Sequence, residues 1–158
     1  MCPSRVAEGA ARGYIVPIGG AENKENDRRI LRRFVEVSGG EDADIVVIPT
    51  ASKMHETGPR YEALFRELGA SRVTVMDFDT RRDCQEPNRL QRLEEATGIF
   101  FTGGNQLRLT ALLGGTPVAQ LIRKRNAAGV TVGGGALRPV GRRNRRDHQH
   151  QECHPDAG

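Results

Sequence analysis

The chain has 158 residues, an expectation of one domain with a core of useful size. At 37% hydrophobic and 28% charged residues, with no long apolar run, it is not a membrane-spanning, collagen-like or fully disordered chain. The net charge of +4, from 24 Lys+Arg against 20 Asp+Glu, is too mild to announce a nucleic-acid partner.

Residues 1–12 read as a flexible N-terminus. No apolar stretch follows their charge, so no secretory signal is expected and the cytoplasm is the predicted location. Cys2, Cys84 and Cys153 are odd in number and lack metal-like spacing, which predicts three unpaired thiols in a reducing compartment.

From residue 13 the chain alternates short apolar runs with helical periodicity. Tyr14-Ile15-Val16-Pro17-Ile18 predicts a first strand, ended by Gly19-Gly20. Ile30/Phe34 and Leu31/Val35 pair at i,i+4 on a helix over about 25–37, closed by Gly39-Gly40. Asp44-Ile45-Val46-Val47-Ile48 is continuous and β-branched, the mark of a strand buried on both faces. Gly58-Pro59 precedes a helix that presents Tyr61, Leu64, Phe65 and Leu68 and stops at Gly69. Arg72–Met76 is the third strand, and a helix over about 86–97 turns Leu90 and Leu93 inward. Gly98–Thr102 is the next strand, then Gly103-Gly104. Leu107, Leu109, Leu112 and Leu113 suit a short helix, and Pro117 opens another with Val118, Leu121 and Ile122. Val130-Thr131-Val132 is the fifth strand and runs into Gly133-Gly134-Gly135.

This alternation predicts βαβ crossovers: an α/β, mostly parallel, doubly wound sheet with helices on both faces. Right-handed crossovers bring the strands' carboxyl ends to one edge, where ligands bind. The segments from Gly19, Thr50, Asp77, Gly103 and Gly133 are therefore expected to share a rim.

Three glycine sites on that rim invite chemistry. After the first strand, Gly19-Gly20 could bring backbone amides to an anion or form a plain tight turn; the dinucleotide and Walker fingerprints are absent. In Thr102-Gly103-Gly104-Asn105-Gln106 a strand ends and a helix begins without a Cβ in the way. Its N–H groups could stabilise an oxyanion, while Asn105 could equally be a helix cap. The third, Gly133-Gly134-Gly135, stands where a nucleophile elbow would present Ser or Cys. No nucleophile follows there: the serines are Ser4, Ser38, Ser52 and Ser71.

Three stretches together resemble the cyanophycinase family of serine peptidases, fold relatives of the class I glutamine amidotransferases. They are Ile18-Gly19-Gly20-Ala21-Glu22-Asn23-Lys24, Ile48-Pro49-Thr50-Ala51-Ser52 and Phe101-Thr102-Gly103-Gly104-Asn105-Gln106-Leu107-Arg108-Leu109, with Val130–Gly134 as the strand before the nucleophile. The resemblance covers about 13–134, and Asn23 stands where the family has Asp. It implies a flavodoxin-like three-layer fold, hydrolysis of an Asp-Arg polymer to β-Asp-Arg dipeptides, no cofactor or metal, and homodimers among intact relatives. It also implies an oxyanion and substrate-binding segment at Gly103, Gly104, Asn105 and Gln106.

Relatives continue after that strand with Gly-Thr-Ser-Ala-Gly, whose Ser is the nucleophile, and supply a His base and an acidic partner later. Here residues 135–158 carry five Arg, three of the four His and only Leu137 and Val140 as large aliphatics, so they read as a disordered tail. Codons for Gly135 to Gly141 can be written GGG GCA CTT CGG CCG GTG GGN. From the third base they read Gly-Thr-Ser-Ala-Gly-Gly. The tail therefore reads as out of frame, after a single-base change or a sequencing error near residue 135.

Other readings of the tail are a soft-metal site at His148, His150, Cys153 and His154, or an arginine arm for phosphates. The expected whole is the first part of a cyanophycinase-like serine peptidase, with catalytic residues absent and no hydrolytic activity. Its partners would be peptide-like, not nucleic acid or membrane. The alternative is a non-catalytic α/β module holding a small anion or nucleotide at the glycine turns.

Overall fold

A computed structural model describes residues 4–18, 24–52, 56–135 and 137–138. Strands and helices alternate: β1 (Ile15–Pro17), α1 (Lys24–Val37), β2 (Asp44–Ile48), α2 (Thr57–Glu67), β3 (Arg72–Val75), α3 (Pro87–Glu95), β4 (Gly98–Phe101), β5 (Gly104–Asn105), α4 (Gln106–Leu113), α5 (Pro117–Ala127), β6 (Thr131–Gly134) and β7 (Leu137–Arg138). Five strands form one sheet in the order β1-β6-β4-β2-β3, all pairs parallel. The α/β, parallel architecture expected from the alternation is the one observed.

The continuous apolar run of β2 follows from its place inside this sheet. Ile45 and Val47 face one core, Val46 and Ile48 the other, and all four are buried. On the first face α1 and α2 bring Leu31, Phe34, Val35 and Phe65 against Phe100 of β4. The Phe100 ring meets Phe34 edge-on at 5.4 Å and Phe65 at 5.0 Å, the arrangement that the ring quadrupoles favour. On the second face α3, α4 and α5 supply Leu93, Leu113, Val118 and Ile122 against Val46, Ile48 and Ile99.

Helix placement follows from crossover direction. From β1 to β2 to β3 the chain moves one way along the sheet, with α1 and α2 on the first face. From β3 to β4 to β6 it moves back, with α3, α4 and α5 on the second. Reversing direction while keeping one crossover hand requires the change of face. The neighbours β2 and β4, whose outgoing helices lie on opposite faces, therefore flank a topological switch point.

Several boundaries differ from the sequence expectation for local reasons. Gly58 and Pro59 lie within the first turn of α2, where the missing Pro N–H has no helical partner to lose. Ile30 of the predicted α1 stripe is 37% exposed, and Leu107 at the start of α4 is 59% exposed; each lies to the solvent side of its helix's buried positions. A two-residue parallel ladder, Gly104–Leu137 and Asn105–Arg138, lies past the boundary drawn at 134.

Polar contacts fix the termini of the layers. The Arg92 guanidinium of α3 donates to Asp44 Oδ2 at 3.0 Å and to Thr74 Oγ1 at 3.0 Å, tying α3 to β2 and β3. Before β1, Asn126 Nδ2 donates to Gly13 O and Val130 O, each at 3.0 Å, and Gly13 N donates to Asn126 O at 2.8 Å. One buried amide thus joins the segment entering β1 to the end of α5 and the entry of β6.

Candidate functional site at the carboxyl ends of the strands

Beyond β2 the chain continues as Thr50-Ala51-Ser52, and beyond β4 as Thr102-Gly103-Gly104. The two meet across the switch point. Asn105 N donates to Ala51 O at 2.8 Å, and Thr102 N to Ile48 O at 3.1 Å. A Cβ on Gly104 would stand 2.1 Å from Ala51 O and 2.9 Å from Ser52 N, so only glycine permits this approach. The outgoing end of β6 closes the other side. Gly135 N donates to Phe101 O at 2.9 Å, and a Cβ there would lie 2.8 Å from Gly103 N.

The four residues predicted for oxyanion and substrate binding are contiguous on this rim. Gly103, Gly104 and Asn105 are partly buried, and Gln106 is exposed at the first residue of α4. Asn105 Oδ1 accepts from Leu107 N at 2.9 Å and Arg108 N at 3.2 Å, a helix cap that satisfies two donors of the first turn. Capping is thus observed for Asn105.

Thr102 stands out beside them. Its residue is 0% exposed, yet its hydroxyl has no hydrogen-bond partner. A buried hydroxyl in that state costs stability. The other rim threonine is satisfied: Thr50 Oγ1 donates to Asp77 Oδ1 at 3.1 Å and accepts from Phe78 N at 3.0 Å. That pair joins the ends of β2 and β3. Asp77 was legible only as the start of a rim segment, because its role depends on a neighbour 27 positions away.

The segment after β3 is held by its own side chains. The Asp83 carboxylate accepts from Asp79 N at 2.9 Å, Thr80 N at 2.8 Å and Thr80 Oγ1 at 2.8 Å. The Thr80 backbone bond, then its hydroxyl, holds the Asp83 pKa below the ordinary carboxylate value. Arg81 Nη1 donates to Ala111 O at 2.8 Å and Gly114 O at 3.0 Å, so the loop also grips the end of α4. Arg108 of α4 reaches Asp79 at 3.5 Å. Burial pushes the Cys84 thiol up, and its Sγ sits 3.8 Å from Thr80 O and 3.7 Å from Leu112 O.

Among the described residues no group of three or more His, Cys, Asp and Glu could hold a metal ion, and no helix is long and apolar enough to cross a membrane. Ser52, the rim's serine among the described residues, bonds Thr57 Oγ1 at 2.9 Å. The turn Gly19–Asn23 and the tail residues His148, His150, Cys153 and His154 lie outside the described residues.

Residues 15–136 match the family model described as peptidase family S51. A cyanophycinase of Geminocystis herdmanii is 42% identical over 125 residues, covering 78% of this chain and 46% of the relative. One from Trichormus variabilis is 40% identical over 121 residues, covering 76% of this chain and 41% of its own length. The chain thus spans less than half the length of these curated relatives. The crystal structure of a peptidase from an acI-B1 actinobacterium superposes with a TM-score of 0.65 at 22% identity, covering 78% of this chain and 54% of that one.

Proposed function

The chain belongs to peptidase family S51, and from that premise we propose that its body, 13–134, is the first portion of a cyanophycinase-like serine-type peptidase domain. In this reading Gly103 and Gly104 border the oxyanion hole through their own amides. Asn105 fixes the first turn of α4, and Gln106 faces a peptide or Asp-Arg polymer.

The observation that carries the reading is convergence. Three stretches far apart in sequence, Thr50–Ser52, Phe101–Gln106 and Gly134–Gly135, come together beside the switch point, Asn105 N bonding Ala51 O and Gly135 N bonding Phe101 O. Ligands of parallel α/β sheets bind there. An attacking hydroxyl leaving β6 would pass beside Gly103, where a Cβ at Gly135 would be 2.8 Å from the Gly103 nitrogen. The sequence after Gly135 is Ala-Leu-Arg, with neither Ser nor Cys. Removing the nucleophile of such a site removes nearly all its acceleration, so the chain as written is inactive in this proposal.

Two measurements test it. Purified chain incubated with cyanophycin is expected to release no β-Asp-Arg above the buffer control; turnover blocked by a serine-directed inhibitor would overturn the proposed inactivity. Thermal shift with β-Asp-Arg against a nucleotide panel tests the rim, and stabilisation by nucleotide alone would replace the peptidase reading with the binding-module one. The proposed change of frame is checked on the gene: the stretch over codons 135–141 should read Gly-Thr-Ser-Ala-Gly-Gly in the register starting at the third base, and any other reading removes it.

A further inference from the structure

Arg108 of α4 and Asp79 of the segment after β3 meet at a corner of the rim, and their contact does not account for the placement of either. Arg108 Nη2 stands 3.5 Å from Asp79 Oδ1, and that carboxylate is 73% exposed. A single long contact to so exposed a group is screened by solvent and contributes little. Arg108 Nε, by contrast, is buried with no hydrogen-bond partner, an unfavourable state for a charged donor. The arginines around it are used more fully. Arg81 Nη1 donates to Ala111 O and Gly114 O, Arg89 to Glu86 and to Asp77 O, and Arg92 to Asp44 and Thr74. Arg125, whose Nε also lacks a partner, donates to Ala96 O, away from the rim at the entry to β4.

The backbone beneath the pair is fixed. Asp83 accepts from Asp79 N and from the backbone and hydroxyl donors of Thr80, and Arg81 clasps the end of α4. Arg108 N donates to the Asn105 cap at 3.2 Å. Asp83 and Arg81 are thereby occupied in holding the loop against the helix, whereas Asp79 and Arg108 can change partners by moving their side chains alone. A preformed frame of this kind lowers the ordering cost of binding.

A guanidinium presents a planar fork that matches a carboxylate with two parallel N–H groups. A side-chain rotation that turns Arg108 Nε outward lets a ligand carboxylate take Nε and Nη2 together and displace Asp79. The Asp79 carboxylate is then left for a cation. A ligand with both charges therefore satisfies this corner, and a ligand with one leaves half of the pair without a partner. An arginine attached through its α-amine, as in β-Asp-Arg, keeps a free carboxylate and a guanidinium on one short chain. We propose that Arg108 and Asp79 form a specificity subsite for that arginine branch, Arg108 holding its carboxylate and Asp79 its guanidinium. The subsite begins two residues along α4 from Gln106 and rests, for its choice of ligand, on the peptidase reading above.

The test is an NMR titration of the full chain with β-Asp-Arg, followed at the Arg108 Nε–H and the Asp79 amide. Two analogues are titrated beside it: β-Asp-Arg with an amidated carboxyl terminus, and β-Asp-citrulline, whose neutral urea replaces the guanidinium. The parent chain is expected to bind β-Asp-Arg about tenfold more tightly than either analogue. Arg108→Gln should weaken β-Asp-Arg and erase the discrimination against the amide while keeping that against citrulline; Asp79→Asn should do the converse. Glu41→Gln, an exposed change before β2, should leave all three affinities unaltered. A merely structural role would weaken the three ligands alike in each variant, and that result overturns the proposal. Binding of β-Asp-Arg indifferent to both substitutions overturns it as well, and leaves the peptidase reading in place. Absence of binding by the parent at millimolar β-Asp-Arg overturns the subsite together with the ligand reading beneath it.

Discussion

Replacing Thr102 by Val should stabilise the protein. Val has nearly the shape of Thr, so packing at this fully buried position is kept while a hydroxyl without a partner is removed. An unsatisfied buried polar group costs about 1–3 kcal/mol, and that is the gain expected. Two other buried threonines are internal controls. Thr131 Oγ1 donates to Val37 O at 2.8 Å, and Thr131→Val should cost about 1 kcal/mol. Thr50 bridges Asp77 and Phe78, so Thr50→Val should cost more, about 1–2 kcal/mol. Domains in this size range shift in Tm by roughly 2–8 °C per kcal/mol, so calorimetry resolves the order: Thr102→Val above the parent, Thr131→Val below it, Thr50→Val lowest. A Thr102→Val variant that melts below the parent would show that the hydroxyl has a partner in the folded protein, and the reasoning fails. If the order holds, the chain retains a costly buried hydroxyl one residue before Gly103.

Gly104→Ala should destabilise by about 1–3 kcal/mol, since its methyl would enter the 2.1 Å gap to Ala51 O; an unchanged urea midpoint would mean the two loops separate freely. Cys84, isolated in a Cys2→Ser, Cys153→Ser background, should react with a thiol reagent far more slowly than the unfolded chain, because it is buried and its thiol is pushed up. Rapid labelling under native conditions contradicts that burial. The folded Asp83 pKa lies below its unfolded value, so its contribution is full above the unfolded pKa and is lost as pH falls through the folded one. Protection of the Asp79 and Thr80 amides, measured against the intrinsic exchange rate at each pH, should therefore decline once pH drops below about 4, the ordinary carboxylate range, and Asp83→Asn should flatten that profile. A profile equally steep in the Asn variant assigns the titration to another group.

What the sequence disclosed and what it concealed divide by the range of the interaction. β2 was legible because burial on both faces leaves no polar position in Ile45–Ile48, and such a run has few other readings. The amphipathic helices were legible for the same reason, apart from Ile30, where the stripe predicts a side of the helix and not how far the neighbouring layer extends. The rim segment Gly103–Gln106 could be located from its glycines and helix start, but the two roles open to Asn105 differ only in what its side-chain oxygen faces, and that is set in three dimensions. Partners far apart in sequence were invisible: Thr50 with Asp77, Arg92 with Asp44, Asn126 with Gly13. The edge position of β1 belongs to this class. The apolar residues of Tyr14–Ile18 do not tell edge from interior, and Pro17, which has no N–H for a second ladder, is the one residue of the run that favours an edge. Ile15 at 69% exposure has the side chain of an interior position without the neighbour that would make it one.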